Sequence, residues 1–318
     1  MEKAVEADNL RKSFELKKRE GLKQTVSHTV AVDGLSLSVN RGESVAFIGP
    51  NGAGKSTTIK MLTGILYPDS GSASVLGLTP WSQRNKLAYK MGAVFGQRSQ
   101  LWYHLPPQDS FDLLAKIYSM PDKAYKQRRN MLVERFNLGP FLSTQVRKLS
   151  LGQRMRAEIA ASLLHAPDIL FLDEPTIGLD VIARQELRSL IRQWNKENGL
   201  TIFLTSHDAG DIESVADRVI IINHGNIVLD SSVESMRTNY LNSKVIDARF
   251  HEQPKAIELN GVGLIDANTY ELKLEIDCQL ISIEEVMSAV LKAGPLADVT
   301  IEDPPLEEVI AHIYARAK

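Results

Sequence analysis

The sequence predicts an α/β protein built on a mostly parallel sheet, followed by a small α+β appendix. Three observations carry that expectation. Short apolar segments alternate with amphipathic helical patterns, a glycine-rich loop sits between a strand and a helix, and the composition changes near Ser243.

Length and composition set the frame. The chain has 318 residues, 43% hydrophobic and 24% charged, which suits an ordinary globular protein of about two domains. Its 37 basic and 39 acidic residues leave a net charge of −2, so no overall field favours nucleic acid or an anionic membrane. Cys278 is the single cysteine, which excludes an internal disulfide or a cysteine-built metal cluster and fits a reducing cytosol. The opening MEKAVEADNL lacks the basic segment and apolar run of a secretory signal, and apolar runs such as 169–172 and 219–222 end early. The expectation is a chain that does not cross a membrane by itself.

In chain order, residues 30–39 and 44–48 predict two strands around the turn Asn40-Arg41-Gly42-Glu43. The second strand runs into the glycine-rich loop, and residues 55–66 follow as a helix. Further strands are expected at 73–76, 92–95, 168–172, 201–205 and 218–222. A helix is expected at 181–198, where Ile182, Leu187, Leu190 and Ile191 recur among charged residues. Residues 100–167 hold no convincing strand but three helix candidates, 110–119, 123–137 and 153–164, and are expected to form a helical subdomain inserted between sheet strands. Past Ser243, TYELKLEI (269–276) alternates Tyr270, Leu272, Leu274 and Ile276 with polar residues, a strand with one wet face. A helix at 282–292, a strand at 298–301 and a helix at 306–315 complete the expected appendix. The expected division is residues 1–242 and 243–318.

The loop Gly49-Pro50-Asn51-Gly52-Ala53-Gly54-Lys55-Ser56 satisfies G-x-x-x-x-G-K-[ST]. Its glycines let backbone N–H groups close around phosphate oxygens, Lys55 brings a point charge, and the Ser56 hydroxyl is suited to Mg²⁺. The helix that starts at Lys55 adds its positive dipole end. Farther on, ILFLDE (169–174) is an apolar strand ending in two carboxylates. Asp173 at its carboxyl end can hold Mg²⁺ or its waters beside the phosphates, and Glu174 can act as general base toward water.

These motifs, with what lies around them, resemble the ATP-binding cassette (ABC) family of ATPases over about residues 5–230. Leu149-Ser150-Leu151-Gly152-Gln153 resembles the signature LSGGQ, with Leu151 in place of its third residue, a glycine. Gln97 matches the glutamine loop that opens the helical subdomain, Gly178-Leu179-Asp180 the loop after the catalytic glutamate, and His207 in LTSHD the switch histidine. The resemblance implies a P-loop NTPase cassette: a RecA-like sheet core, an antiparallel β subdomain and the inserted helical subdomain. It implies ATP held by residues 49–56 with Thr57, Mg²⁺ on Ser56, Gln97 and Asp173, and catalysis by Glu174, His207 and Gln97. Phe14 sits where the family stacks an aromatic on adenine, although residues 15–29 separate it from the next strand by more than is usual there. Adenine stacking and core packing both remain open for its ring.

In the family, Ser150, Leu151, Gly152 and Gln153 of one copy would close over the γ-phosphate held by another, which implies a dimer. Leu151 would crowd that phosphate if the backbone there needs glycine's freedom, yet Ser150 and the helix start at Gln153 remain to cap an anion, so a working site is expected. The stretch AVDGLSLSVNRGESVAFIGPNGAGKSTTIKMLTGILYPDSGSASVLG and the tail TIEDPPLEEVIAHIY resemble ABC-2-type exporters. That implies separate membrane permease subunits, a cytoplasmic chain peripheral to the inner face of the membrane, and no nucleic-acid partner. Trp102 and Tyr103 are either anchors for a permease or packing within the helical subdomain. Lys17-Lys18-Arg19 is either a solvated face or a contact to anionic headgroups. An importer ATPase with a regulatory C-terminal domain, and a soluble ABC ATPase outside transport, are the alternatives.

Overall fold

Apolar strand segments without polar alternation follow from a sheet that is covered on both faces. The computed structural model describes residues 2–20, 23–96, 99–240, 243–303 and 306–316. The chain divides into two compact units, Met1–Ser231 and Ser232–Lys318, so the division falls ahead of the expected 242/243 boundary.

The first unit runs β1 (Lys3–Glu20), β2 (Lys23–Asn40), β3 (Ser44–Ile48), α1 (Lys55–Leu62), β4 (Ser70–Val75), α2 (Arg84–Ala88) and β5 (Met91–Phe95). It continues with α3 (Pro107–Ile117), α4 (Asp122–Arg135), α5 (Leu151–Ser162), β6 (Ile169–Asp173), α6 (Val181–Asn198), β7 (Thr201–Ser206), α7 (Ala209–Val215), β8 (Arg218–Asn223) and β9 (Asn226–Ser232). Its central sheet has the order β5-β6-β7-β3-β8-β9, and the first five of these strands are parallel. Alternation along these buried strands divides two cores rather than core from water. Ile169 and Phe171 of β6 and Phe203 of β7 join the side of α1, where the Phe47, Phe171 and Phe203 rings pack 5.3–5.6 Å apart. Leu170, Leu172, Ile202 and Leu204 face the other way, against residues of α5 and α6.

Between β5 and β6 the described residues form helices α3 to α5 and 3-10 turns at Gly139–Phe141 and Val146–Lys148, with no strand. Helix α5 begins two residues before the expected start at 153, because Ser150 is its N-cap. The Ser150 hydroxyl accepts from the Gln153 N–H at 3.2 Å, and Gln153 Oε1 accepts from the Ser150 N–H at 3.0 Å.

Sequence patterning did not predict β1. It pairs antiparallel with β2 over its length and with β4 from Val5 to Arg11. Polar residues at many of its positions hide the period: among its described side chains, those of residues 3–15, only Ala4, Val5, Ala7 and Leu10 are buried. The pairing continues from Phe14↔Thr29 to Glu20↔Lys23, so the expected 15–29 insertion lengthens a hairpin. Lys17, Lys18 and Arg19 lie on it, with side chains outside the described residues.

The second unit holds α8 (Val233–Tyr240), β10 (Ser243–Phe250), β11 (Val262–Asn268), β12 (Glu271–Asp277), α9 (Ile283–Ala293), β13 (Leu296–Glu302) and α10 (Leu306–Arg316). Its antiparallel sheet has the order β11-β12-β10-β13. Leu272, Leu274 and Ile276 of β12 are buried with Val286 and Val290 of α9. Tyr270, expected on the same stripe, precedes the strand and is exposed. Ser282 and Glu285 cap α9 reciprocally. Among the described residues no helix is long and apolar enough to cross a membrane.

Candidate functional site

Strand β3 ends at Ile48 in the middle of the sheet, and the loop that follows must turn sharply into α1. Gly54 makes that turn with φ 104°, and a Cβ there would come within 2.3 Å of the Ala31 carbonyl oxygen, so the position requires glycine. The result is a strand, a loop of backbone amides and a helix start facing one open cleft of about 780 Å³. The loop, Phe14, Glu174, Ile177 and His207 line that cleft. Phe14 is 37% exposed and belongs to the cleft wall rather than a core, with Lys12 Nζ 5.8 Å from its ring centroid.

Lys55 is buried in the cleft floor, where Nζ donates to the Gly49 carbonyl at 2.6 Å and lies 3.9 Å from Glu174 Oε1. Burial pulls its pKa below the usual lysine value, opposed by the charges of Glu174 and Asp173. A cation already desolvated and aimed into the cleft is ready for an anion.

The parallel register carries the other groups to the same end of the sheet, because β6 and β7 lie side by side and both finish here. Asp173 Oδ1 accepts from Thr205 Oγ1 at 2.6 Å and from Ser56 Oγ at 3.3 Å. Glu174 has φ 55°, the left-handed region that an L residue enters at a cost, and its N–H is held by the Thr205 carbonyl at 3.1 Å and hydroxyl at 3.2 Å. That turn aims its carboxylate at His207, whose Nδ1 lies 2.6 Å from Glu174 Oε2. An ionised carboxylate only accepts, so Nδ1 carries the proton. One oxygen of Glu174 thus faces a lysine and the other a histidine, at the carboxyl end of the sheet strands.

Gln97 lies outside the described residues. The chain around it is fastened on both sides: the Gly96 N–H donates to the Asp173 carbonyl at 2.9 Å, and the Ser99 hydroxyl donates to the buried Glu158.

The signature residues 150–153 do not line this cleft. Ser150 is exposed, and neither Leu151 nor Gly152 has positive φ, so the backbone does not need glycine's freedom at Leu151. The Leu151 side chain instead leans under the next loop, where a Cβ on Gly178 (φ 75°) would meet its Cδ2 at 3.1 Å. Asp180 caps α6 by accepting from the Ala183 N–H at 2.8 Å and is also outside the cleft lining.

Sequence reasoning missed Thr205, which holds Asp173 and Glu174 together, and the cluster of Arg184, Arg188, Asp208 and Asp211 behind His207. A signal existed: Arg184 and Arg188 recur at i, i+4, and Asp208 and Asp211 at i, i+3, on elements whose other periodic residues are apolar.

Comparison with known proteins gives one consistent result. The family model described as ABC transporter matches residues 32–177. The linearmycin resistance ATP-binding protein LnrL of Bacillus subtilis (strain 168) is 28% identical over 305 residues, 93% of this chain and 97% of that protein. The daunorubicin/doxorubicin resistance ATP-binding protein DrrA of Streptomyces peucetius is 33% identical over 238 residues, 75% of this chain and 71% of that protein. Among solved structures, cbiO1 of Clostridium perfringens, described as part of the ABC transporter complex cbiONQ, aligns with a TM-score of 0.63 and 26% identity. That alignment covers 75% of this chain and 92% of cbiO1.

Proposed function

Because the chain belongs to the ABC transporter family, as one of its ATP-binding, ATP-hydrolysing cassettes, we propose that it is the energy-coupling subunit of an ABC-2-type exporter. It works from the cytoplasmic side, peripheral to the membrane, on permease subunits encoded separately. The relatives named for resistance to linearmycin and to daunorubicin or doxorubicin support the export direction. Residues 232–318 are an accessory domain of this subunit.

One cluster carries the reading: Lys55, Asp173, Glu174 and His207 converge at one end of a parallel sheet, with Glu174 Oε2 2.6 Å from His207 Nδ1. The loop amides of residues 49–57 and Lys55 take the phosphates of ATP, and Phe14 takes the adenine face. Ser56 Oγ and Asp173 Oδ1, 3.3 Å apart, are hard oxygen donors of the kind Mg²⁺ accepts, and with Gln97 they would hold it. The bound ion supplies charge neutralisation at the phosphate oxygens. Glu174 accepts a proton from the attacking water, and His207 holds that carboxylate in place.

A second copy completes the site. Ser150 is exposed and does not line its own cleft, and at the start of the neighbouring α6, where Ala183 lies against Gly152, Val181 and Ile182 are 70% and 71% exposed. Apolar side chains around an anion-capping helix start form a surface that a partner cassette with bound ATP would cover. Closure and reopening of the pair drive the permeases, whose anchors include Trp102 and Tyr103, 39% and 52% exposed.

The test is Glu174→Gln. Phosphate release is expected to fall at least about a hundredfold, with an ATP-held dimer visible in light scattering; unchanged turnover removes Glu174 as the base. Mild detergent extraction is expected to recover the chain with a multi-span protein. Recovery without any membrane protein overturns the transport assignment.

A further inference from the structure

Beneath His207 lies a polar cluster that the hydrolytic scheme does not use. Arg184, on α6, sends Nη1 to Asp208 Oδ2 at 2.7 Å and Nη2 to the Leu179 carbonyl oxygen at 3.0 Å. Asp208 directly follows His207, and its other oxygen accepts from Arg188 Nη2 at 2.8 Å and the Gly210 N–H at 2.9 Å. Arg188 Nε donates to Asp211 Oδ1 at 2.6 Å. Asp211 is fully buried and takes the Thr176 and Ser206 hydroxyls on Oδ2 at 2.5 and 2.6 Å. The cluster therefore reaches both segments that meet at the site: Thr176 and Leu179 belong to the turn after Glu174, and Ser206 and Asp208 flank His207 on either side.

Three features point to a role beyond local stability. The His207 side chain is 57% exposed, so packing does little to hold the ring and its place depends on the main chain at residues 206–208. That main chain is held from one side by Asp211 through Ser206 and from the other by the two arginines through Asp208. Second, Arg184 Nε is buried without a hydrogen-bond partner, a cost to stability that the site retains while the two Nη groups make their bonds. Third, the planar fork reaches the carboxylate and the backbone carbonyl through two separate nitrogens in fixed geometry, which the single ammonium of lysine would reproduce only in part. Burial raises the Asp208 pKa, but the Arg188 charge, the Gly210 N–H and Arg184 together hold it below the usual aspartate value, so the bridge is an ionised one.

We infer that Arg184 is a positioning residue for the hydrolytic step: by tying the Leu179 carbonyl, in the turn after Glu174, to Asp208, it holds the His207 ring against the Glu174 carboxylate. This rests on the reading of Glu174 and His207 as the hydrolytic pair. The bridge sets the relative position of the two segments, so its loss affects the reacting geometry and leaves the phosphate loop intact.

The experiment measures ATP turnover of the full chain for Arg184→Gln, Arg184→Lys, His207→Ala and the double variant R184Q/H207A. Arg184→Gln is expected to lower kcat about tenfold with KM for ATP within about twofold, and Arg184→Lys to recover part of the loss. In the H207A background the same substitution is expected to change kcat by less than about twofold, because the ring it positions is gone. An equal loss in both backgrounds, or a rise in KM at unchanged kcat, overturns the inference. A second measurement does not use turnover: the His207 ring resonances in histidine-labelled protein are expected to move in R184Q and stay in place in R192Q, a substitution on the same helix whose partners are Asp217 and the Val215 carbonyl. If H207A leaves turnover unchanged, the hydrolytic role of His207 fails, and the resonances still decide Arg184. Unmoved resonances in R184Q overturn its placement.

Discussion

The end of β6 and the start of α5 both carry residues proposed to act on ATP, but they are built in opposite ways. At β6, Asp173 and Glu174 are held by Ser56, Thr205 and His207, which lie 117, 32 and 33 residues away in sequence. At α5, Ser150 and Gln153 cap each other across three residues, with no distant partner in the bond pair. The first site exists only when the sheet is assembled. The second is complete as a local motif, exposed at Ser150 and next to the start of α6, whose Val181 and Ile182 are exposed. A cluster assembled from distant strands is the part that can do chemistry; a self-capped helix start beside apolar surface is the part that can be presented to another molecule.

Substitutions separate the two by size and kind of effect. Lys55→Met is expected to give the largest loss: removing the desolvated cation of the cleft lowers ATP binding and takes hydrolysis to background, measured by nucleotide titration and phosphate release. Retained binding would remove Lys55 from the phosphate site. Thr205→Val deletes the hydroxyl shared by Asp173 and the Glu174 N–H, and turnover is expected to fall about tenfold while the urea midpoint drops by the equivalent of about 1–2 kcal/mol. A stability loss with full turnover would show that the long-range bond is structural only.

Ser150→Ala is expected to destabilise the chain by about 1 kcal/mol through the lost cap. It should also weaken the ATP-held dimer of the E174Q background; an unchanged dimer would detach the cap from association. Leu151→Gly has the smallest effect on activity: turnover is expected to stay within about twofold, because the backbone there lacks positive φ, while stability falls by about 2 kcal/mol as the side chain packed against the helical core is lost. A large gain in turnover would mean that Leu151 does crowd the phosphate.

Legibility followed the range of the interactions. Residues 49–56 are contiguous and their chemistry is local, so the loop could be recognised from composition and spacing alone. Strand β12 announced itself by its alternation, and the helix expected at 282–292 appears as α9, capped reciprocally by Ser282 and Glu285. Strand β1 did not, because its ladder partners, β2 and β4, supply what its own side chains lack. Thr205 was read as part of an apolar strand and nothing more. Its hydroxyl matters because the register of β6 against β7 sets Thr205 opposite Asp173. Arg184 and Asp208 lie 24 residues apart in sequence, and only the packing of α7 against α6 brings them within 2.7 Å. The two ways left open for Phe14 and for Trp102 and Tyr103 were likewise questions of exposure, which one-dimensional patterning does not contain.

The sequence by itself determined the α/β class and the phosphate loop, because backbone conformation, capping and strand period depend on neighbours a few residues apart. It also determined the family, since its motifs follow one another in order. Only the tertiary structure decided which carboxylate oxygen faces His207, that Ser150 is exposed and outside the lining of its own cleft, and that Arg184 joins the Leu179 carbonyl to Asp208. Those facts depend on strand register and helix packing, where contacts between residues far apart in the chain outweigh local preference.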